Sequence, residues 1–323
     1  MTQPTPPTSP FLPGTKIQFA WDSTSLGLLK TCPRLYQYTI IEGWQPKGES
    51  IHLRFGSEFH SALWLYDRLR TQDIPHDEAL RETIHTLLIT SADFNPTPNP
   101  DHARDPARYK NRTSLIRTVI YYLDDRRDDT LRTHKLADGT AAVELSFRFE
   151  LGWGPDGTDQ PYLLCGHLDR VAADSNGDLF VEDHKTTTSS PGQYYFDQYD
   201  VNNQMSLYTT AGAVVLEAPI RGVAINAVQL LIEPPYARFV RGFTFRTQDR
   251  LEEWQTDLSR WLQLAEWYAE NKYWPQNDTA CDKFGGCKFR KVCAKSPSVR
   301  KIFLNSDFNQ LPEDERWNPL QPR

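Results

Sequence analysis

The stretch that decides the fold of this chain reads CGHLDRVAADSNGDLFVEDHK and runs from Cys165 to Lys185. Residues 174–178, DSNGD, combine residue types that occupy tight turns, so they predict a hairpin. The segments on either side, 162–173 and 178–185, are therefore predicted to be its two strands. The second strand is apolar at its start and charged at its end. Charged groups at the end of a buried strand are costly unless they are paired or metal-bound.

Three charged side chains of the hairpin are predicted to meet at one point. Asp183 and Lys185 are two residues apart and therefore share one face of the strand, and Asp169 on the neighbouring strand can reach them. Two carboxylates and an ammonium suit a hard divalent cation beside a polarised water, and the alternative is a surface hairpin with a salt bridge. Glu182 is adjacent to Asp183 but faces the other side. We therefore predict that Asp183, and not Glu182, binds the metal.

The composition is that of a globular protein of 323 residues with a formal net charge of −6. This charge argues weakly against a passive nucleic-acid coat but not against a metal-dependent enzyme that acts on nucleic acid. A basic segment near the C-terminus contains one acid, Asp282, and seven basic residues: Lys283, Lys288, Arg290, Lys291, Lys295, Arg300 and Lys301. The sequence has neither an apolar run that could span a bilayer nor a secretory signal at the N-terminus, so we expect a cytoplasmic protein without a membrane partner.

Hydrophobic periodicity predicts a mixed α/β chain whose helices and strands alternate in groups. The expected organisation is a disordered tail at 1–15, a single domain at 16–302 and an irregular tail at 303–323. Within the domain we expect a helical part at 54–135, a catalytic sheet core at 141–246 and a cysteine segment at 281–293. The predicted helices are 54–71, 76–91, 110–133, 199–216 and 247–271, and the further strands are 141–151, 222–233 and 237–246. Whether the strand after helix 199–216 pairs parallel or antiparallel is left open.

Further candidate site residues lie outside the hairpin. A lone histidine such as His60 on an amphipathic helix is usually structural, but its imidazole can also complete the coordination of a metal. Gln204 and Tyr208 are four apart on a predicted helix and share a face, from which they could orient the lysine or contact a phosphate. Glu144 lies in mid-strand opposite an apolar face, and we expect it to be exposed to solvent.

The cysteines predict a second site. Cys281, Cys287 and Cys293 fall within thirteen residues, and such clustering in a cytosolic chain indicates metal or cluster binding rather than disulfides. Three thiolates are one short of a closed tetrahedral site. Cys32 lies at a polar helix end, whereas Cys165 lies in an apolar strand and is expected to be buried core, so we predict Cys32 as the fourth ligand. The number of thiolates suits zinc and iron–sulfur equally.

Together these segments resemble the PD-(D/E)XK nuclease superfamily, in its RecB-like, AddB-like branch with a C-terminal iron–sulfur cysteine motif. The matched pieces follow the order of the family and cover most of the chain. They are S-x-x-x-L-x-x-C-P-R-x-Y (Ser25 to Tyr36), G-x-x-x-H (Gly56 to His60), G-x-x-D-R (Gly166 to Arg170), D-x-K (Asp183 to Lys185), Q-x-x-x-Y (Gln204 to Tyr208) and the cysteine trio. Five residues separate Cys281 from Cys287, where the family more often has two.

The resemblance implies a restriction-endonuclease-like mixed sheet flanked by helices, with an N-terminal helical insertion and a cysteine-rich C-terminal staple. The implied metal ligands are His60, Asp169, Asp183 and the carbonyl of His184. The implied catalytic residues are Asp169, Asp183, Lys185, Gln204 and Tyr208. The implied ligands of a 4Fe–4S cluster, with zinc as the alternative, are Cys32, Cys281, Cys287 and Cys293.

The implied function is a Mg²⁺- or Mn²⁺-dependent DNA nuclease that hydrolyses phosphodiester bonds by metal-activated water. The family favours an exonuclease over an endonuclease, acting on single-stranded or end-containing DNA. The implied setting is recombination, repair, or the processing of phage or mobile-element DNA, with a helicase or recombination protein as a partner. The alternative is a non-catalytic nucleic-acid-binding protein stapled by zinc or a cluster.

Overall fold

A computed structural model describes residues 9–102, 105–282 and 286–321 of the chain. Its α-helices are α1 Ser23–Thr31, α2 Pro33–Tyr36, α3 Ile51–Thr71, α4 His76–Thr90, α5 Arg112–Asp125, α6 Gln193–Asp197, α7 Asn203–Leu216, α8 Gln248–Glu270, α9 Arg290–Cys293 and α10 Arg300–Asp307. Its strands are β1 Ala20–Trp21, β2 Trp44–Pro46, β3 Arg132–Thr133, β4 Val143–Glu150, β5 Leu163–Ala173, β6 Leu179–Thr187, β7 Ile220–Leu230, β8 Ala237–Thr244 and β9 Phe308–Gln310. Within the described ranges, every helix is too short or too polar to cross a membrane.

The chain divides into two compact units. Unit 1 comprises residues 1–48, 146–166 and 249–323, and unit 2 comprises residues 49–145 and 167–248. This division does not decide whether residues 16–302 form one domain, which stays a prediction.

The sheet of unit 2 is mixed. Strands β5 and β6 form the predicted antiparallel hairpin, in which Val171 lies opposite Val181. The turn is held by the Asp174 carboxylate, which accepts hydrogen bonds from the backbone N–H groups of Asn176 and Asp178, both at 2.9 Å. Strand β6 pairs parallel with β7, and β7 pairs antiparallel with β8. The predicted mixed α/β fold is confirmed.

Helix α7 explains the parallel pairing of β6 with β7. Parallel neighbours need a crossover connection, and α7 supplies it between the two strands. The helix approaches the sheet closely at Gly212, where an added Cβ would lie 2.8 Å from the Ile220 side chain and 3.2 Å from that of Val181. A larger residue at this position would push the helix away from the strand that carries Asp183 and Lys185.

Helices α3, α4 and α5 cover the other face of this sheet. Their apolar stripes share one core with Val228 and Leu230 of β7. The helical members of this core are Phe55, Phe59, Ala62, Leu63, Tyr66, Ala79, Leu87, Leu115, Val119, Tyr122 and Leu123. Because helices lie on both faces, both faces of β6 are buried, and each charged side chain on it needs a partner.

Unit 1 joins the N-terminal helices to the segment that precedes the cysteines. The Tyr36 ring lies 5.7 Å from that of Trp21 and 5.0 Å from that of Trp274, measured between ring centroids. The Arg34 guanidinium donates to the carbonyl of Trp274 at 2.7 Å. These contacts fix the end of α1, where Cys32 lies, against residues far away in sequence.

Several boundaries differ from those predicted. Residues 9–15 of the expected disordered tail contribute to a hydrogen-bonded turn, in which Leu12 N–H donates to the Ile17 carbonyl at 2.9 Å; residues 1–8 lie outside the described ranges. The expected irregular tail at 303–323 contains the end of α10 and strand β9, which pairs with β2. The predicted helix at 110–133 is shorter, because α5 ends at Asp125 and β3 follows. The predicted helix at 199–216 begins at Asn203.

Candidate active site

Strand β6 separates two sets of charged side chains in unit 2, as its period of two predicts. Asp183 and Lys185 lie on the face covered by α7, and their side chains are 1% and 31% exposed. Glu182 lies on the opposite face and its side chain is fully buried. The two neighbouring carboxylates therefore belong to different environments, in agreement with the alternation that the sequence predicts.

A chain of hydrogen bonds holds the lysine. The Lys185 ammonium donates to Asp183 Oδ1 at 2.9 Å and to Gln204 Oε1 at 3.0 Å. The Gln204 amide in turn donates to the Tyr208 hydroxyl at 2.9 Å. The structure thus brings these four predicted residues together in one series of hydrogen bonds, and the Q-x-x-x-Y spacing places Gln204 and Tyr208 on the same face of α7.

Burial and neighbouring charges set the protonation states of these hydrogen-bonded side chains. Burial raises the pKa of Asp183, and Asp169 raises it further against the opposing effect of Lys185. Burial alone would lower the pKa of Lys185, but Asp183 and Asp169 together raise it above its ordinary value. Burial, followed by the two aspartates, raises the pKa of Tyr208 well above its ordinary range. The lysine is therefore a cation and the tyrosine neutral near pH 7.

His60 connects α3 to the hairpin. Its Nδ1 lies 3.3 Å from Asp169 Oδ2 and its Nε2 lies 3.1 Å from the carbonyl oxygen of His184. The side chain of His184 is buried, and burial lowers its pKa well below the ordinary range, so it is neutral. The backbone carbonyl of His184 thus contacts His60, and the His184 ring lies 6.0 Å from the His60 ring, measured between centroids.

The donors at this point fit a divalent cation. Asp183 Oδ2 is buried and has no hydrogen-bond partner among the described residues. An orphaned carboxylate oxygen in a buried position is costly unless a cation or a donor meets it. Carboxylate, carbonyl and imidazole donors in one place are those that Mg²⁺ or Mn²⁺ accepts in proteins.

Glu144 is part of this cluster, which the sequence did not predict. One ligand atom from each of His60, Glu144 and Asp169 lies within 4.8 Å of the other two. The backbone of Glu144 is left-handed, with φ of 49° inside strand β4. Such a conformation is rare for a residue with a Cβ, and strict alternation along the strand cannot reveal it. The expectation that Glu144 is simply exposed to solvent is wrong, because it is half-buried beside His60 and Asp169.

A buried ionic network covers the reverse face of β6. Glu182 accepts hydrogen bonds from Arg170 and, at 3.1 Å, from the amide of Asn226. Arg241 lies 2.8 Å from Glu182 and 2.5 Å from Asp129. The arginine of the G-x-x-D-R motif thus acts in the frame behind the site, a role that the sequence alone did not indicate.

The four predicted cysteines line one cavity of about 250 Å³ in unit 1. Asn277 connects two of them, since its N–H donates to Cys32 Sγ at 3.3 Å and its carbonyl accepts from Cys281 Sγ at 3.8 Å. Burial raises the pKa of Cys281, Cys287 and Cys293, and Cys32 raises each of them further. The fifth cysteine, Cys165, is fully buried in β5 and does not line this cavity.

The basic segment that follows the first of these cysteines is folded onto unit 1. Arg290 forms an ion pair with Asp282 at 2.5 Å, and Lys295 and Lys301 lie over the rings of Phe303 and Trp44. Lys283 lies outside the described residues. The segment keeps several basic side chains, and the ion pair with Asp282 reduces its net positive charge.

The hairpin of this mixed sheet presents Asp169, Asp183 and Lys185 beside His60, and carboxylate and imidazole donors are of the kinds that bind a divalent metal. The family model of the PD-(D/E)XK nuclease superfamily matches residues 21–294, and the chain belongs to this superfamily. Its members are metal-dependent nucleases, so the chain is placed among the nucleases and its substrate among the nucleic acids.

The chain is 12% identical to a protein from Eubacterium rectale described as "Putative exonuclease", with 88% of this chain and 92% of that chain covered and a TM-score of 0.46. It is 12% identical to a protein called SSO0001, with 75% of this chain and 76% of that chain covered and a TM-score of 0.31. A search of curated proteins finds no significant match.

Proposed function

We propose that the chain is a Mg²⁺- or Mn²⁺-dependent DNA exonuclease of the RecB-like branch, acting on single-stranded or end-containing DNA. The observation that carries this proposal is the orphaned Oδ2 of buried Asp183, which stands beside a lysine held by Gln204 and Tyr208. A non-catalytic binding protein would have no need to keep an uncompensated carboxylate oxygen in a buried position.

The ligands of the metal would be Asp169, Asp183, His60 and the carbonyl of His184, with Glu144 within reach. When bound, a divalent cation supplies Lewis acidity toward the scissile phosphate and makes hydroxide available near neutral pH. The clustered donors of β5, β6 and α3 hold its position before substrate arrives, so little reorganisation is needed on binding.

Lys185 would act as a fixed positive charge. Since Asp183 and Asp169 raise its pKa, it does not accept a proton near pH 7. Its ammonium is therefore suited to polarise water or to stabilise the negative charge that develops on the phosphate. Gln204 and Tyr208 are positioning residues, since they hold the ammonium in one orientation and do not themselves meet the reacting atoms.

Lys185→Met tests the proposal, because it removes the charge and keeps much of the stem. We expect loss of Mg²⁺-dependent cleavage of end-labelled single-stranded DNA with an unchanged circular dichroism spectrum. The matched control is Lys16→Met at an exposed lysine, which should cleave like the wild type. Full activity of Lys185→Met would overturn the proposal. Comparison of linear with circular single-stranded DNA separates an exonuclease from an endonuclease, since the circle has no end.

We propose further that Cys32, Cys281, Cys287 and Cys293 bind a 4Fe–4S cluster that staples the C-terminal segment to the end of α1. All four line one cavity of unit 1, and four thiolates are the ligand set of such a cluster as well as of a structural zinc ion. The basic residues from Lys288 to Lys301 would hold DNA backbone near this staple. The setting in recombination, repair or mobile-element processing, with a helicase partner, rests on the resemblance alone.

Colour and metal content test the staple. The wild type purified without oxygen should be brown and contain iron and acid-labile sulfide, and Cys32→Ser should lose both. The control is Cys165→Ala, at the cysteine outside the cavity, which should keep the colour. A colourless wild type that contains zinc would overturn the cluster and leave the nuclease proposal intact.

A further inference from the structure

A cavity of about 190 Å³ in unit 2 is separate from the four cysteines and from the side chains of the proposed metal ligands. Residues of α3, α5, β3, β5 and β6 line it, and β6 contributes His184. By the period of two along β6, the His184 side chain shares a face with Glu182, so the cavity lies on the face opposite Lys185. About 15 Å³ of such space holds one water, so this cavity admits a small ligand.

Cations outnumber carboxylates in the lining of this cavity. Its described charged residues are six cations and two carboxylates, namely Arg70, Arg126, Arg127, Arg132, Lys135 and Arg170 with Asp67 and Asp129. Both carboxylates already have cationic partners, since Asp67 lies 3.5 Å from Arg170 and Asp129 lies 2.8 Å from Arg241. Arg127 and Lys135 pair with exposed aspartates outside the lining. Three arginines remain for a ligand: Arg70, Arg126 and Arg132.

The three remaining arginines have weak ionic partners or none. Arg70 and Arg132 each donate to one backbone carbonyl, at 2.7 and 3.4 Å, and neither forms an ion pair with a described residue. Arg126 pairs at 3.4 Å with Asp125, whose side chain is 48% exposed, and its Nε makes no hydrogen bond within the described ranges. Ion pairs with exposed carboxylates contribute little and are screened by salt. These guanidinium groups, which come from α3, β3 and the end of α5, therefore keep donors for an anion.

Tyr122 supplies a second kind of donor. It is 3% exposed, and its ring makes edge contacts with Phe239 and His184 at centroid distances of 5.2 and 5.6 Å. Its hydroxyl makes no hydrogen bond with any described residue, although buried hydroxyl groups normally have a partner. Burial raises the pKa of Tyr122, so the hydroxyl keeps its proton and can donate. Because Tyr122 lines the cavity, a ligand there is the partner that this hydroxyl lacks.

We propose that this cavity binds a phosphate monoester, which accepts hydrogen bonds from three guanidinium groups and one hydroxyl: Arg70, Arg126, Arg132 and Tyr122. The planar fork of arginine matches phosphate oxygens, and a monoester offers three terminal oxygens to donors that come from different elements. A phosphodiester inside a strand offers only two and continues on both sides, which a cavity walled by five elements does not suit. A free nucleotide and the phosphorylated end of a DNA strand both carry the monoester. The inference goes beyond the proposed nuclease, because this phosphate is not the one that is cut.

Calorimetric titration in EDTA measures binding at this cavity in the absence of a metal. Inorganic phosphate and thymidine monophosphate are titrated separately into the full-length protein. Tyr122→Phe removes only the hydroxyl, and loss of one hydrogen bond to a charged group should weaken both Kd values by roughly 10- to 150-fold. Arg126→Met should weaken them by a similar factor. The matched control is Arg68→Met, at an exposed arginine of α3 that lies over the Trp64 ring and outside the cavity lining, and it should bind like the wild type.

Urea unfolding separates a binding role of the Tyr122 hydroxyl from a structural one. Without phosphate, Tyr122→Phe should unfold at the same midpoint as the wild type, because the hydroxyl has no partner to lose. Phosphate should then raise the midpoint of the wild type more than that of the variant, since a ligand that binds the folded state stabilises it. A lower midpoint for Tyr122→Phe without phosphate would overturn the inference, because the hydroxyl would then be structural.

Lys185→Met decides between this cavity and the proposed catalytic site. Since Lys185 lies on the other face of β6, this variant should bind phosphate like the wild type. Loss of phosphate binding in Lys185→Met, with retention in Tyr122→Phe and Arg126→Met, would place the anion at the catalytic site and overturn the inference. A wild type that binds neither inorganic phosphate nor thymidine monophosphate, and binds DNA equally with and without a terminal phosphate, would overturn it as well.

Fluorescence anisotropy in EDTA identifies the source of the monoester. A labelled single-stranded oligonucleotide with a terminal phosphate is compared with the same strand ending in hydroxyl groups. Tighter binding of the phosphorylated strand by the wild type, and not by Arg126→Met, supports the site and identifies a DNA end. Equal binding of both strands, together with thymidine monophosphate binding that is weakened in Tyr122→Phe, supports the site and identifies a free nucleotide.

Discussion

Glu182 and Asp183 are adjacent carboxylates, and the structure gives them opposite consequences when each is neutralised. Glu182→Gln removes the anion that Arg170 and Arg241 share behind the site. Removal of one partner from a buried ion pair costs about 3–5 kcal/mol, because the remaining charges stay buried without compensation. The amide can still accept one hydrogen bond, and Asp129 still neutralises Arg241, so we expect about 3 kcal/mol.

Asp183→Asn should behave differently. The substitution loses the ion pair with Lys185, whose side chain is 31% exposed. It also removes a buried charge with an orphaned oxygen and its repulsion with Asp169. These effects oppose one another, so the free energy of unfolding should change by less than about 1 kcal/mol. Binding of Mn²⁺ and cleavage of DNA should both be lost, because the orphaned oxygen is the proposed metal ligand.

Urea unfolding in EDTA measures the free energy of unfolding, and calorimetric titration with Mn²⁺ measures metal binding. Glu182→Gln should unfold at lower urea and, while folded, still bind Mn²⁺. Glu82→Gln, at an exposed glutamate of α4, controls for the loss of a charge and should leave both readouts unchanged. If Asp183→Asn destabilises as much as Glu182→Gln, or if Glu182→Gln abolishes Mn²⁺ binding in the folded protein, the division of roles across β6 is wrong.

Substitutions at three further positions test single features. Burial lowers the pKa of Lys110 from 10.5 to about 8, a cost of up to about 3 kcal/mol. Lys110→Met should therefore raise the urea midpoint at pH 7. This gain in stability should shrink between pH 8 and 10.5, because the unfolded wild type holds more protons than the folded protein in that range. A gain that stays constant with pH would contradict this reasoning. Glu144→Gly should weaken Mn²⁺ binding and also stabilise the protein by about 1 kcal/mol, because glycine tolerates the left-handed backbone. Glu144→Ala should weaken Mn²⁺ binding without that gain in stability. Equal stabilities of the two variants would contradict the argument from strain. Tyr208→Phe removes the acceptor of the Gln204 amide and should lower kcat about tenfold with little change in single-strand Kd; an unchanged kcat would exclude a positioning role.

The part of the site that lies on the hairpin could be predicted from the sequence because the geometry of a strand is local. A period of two places Asp183 with Lys185 and Glu182 on the other face, whatever packs above them. The turn at 174–178 then sets which residues of β5 lie opposite. Gln204 and Tyr208 share a face of α7 for the equally local reason of helical spacing. Their roles as ligands or catalysts stay predictions.

The rest of the site depends on contacts between distant residues. Arg241 and Asp129 are separated by 112 residues in sequence, and nothing in either local pattern connects them. Glu144 reaches His60 only because its backbone leaves the regular strand conformation, which periodicity assumes throughout. The parallel pairing of β6 with β7 likewise depends on the path of α7. Such features are set by tertiary packing, for which a single sequence carries no local signal.

The ionic network behind β6 gives a reason why the chain keeps buried charges where apolar residues would serve stability as well or better. Glu182 lies on β6 and Arg170 lies on β5. The carboxylate of Glu182 forms an ion pair with the guanidinium of Arg170, and both groups are planar and directional. Such a bond resists sliding of one strand along the other more strongly than apolar contact does, since apolar contact is non-directional. Asp169 lies on β5 and Asp183 lies on β6. The distance between these two proposed metal ligands is therefore set by the register of the two strands. The buried charges on one face thus hold the spacing of the charges on the other.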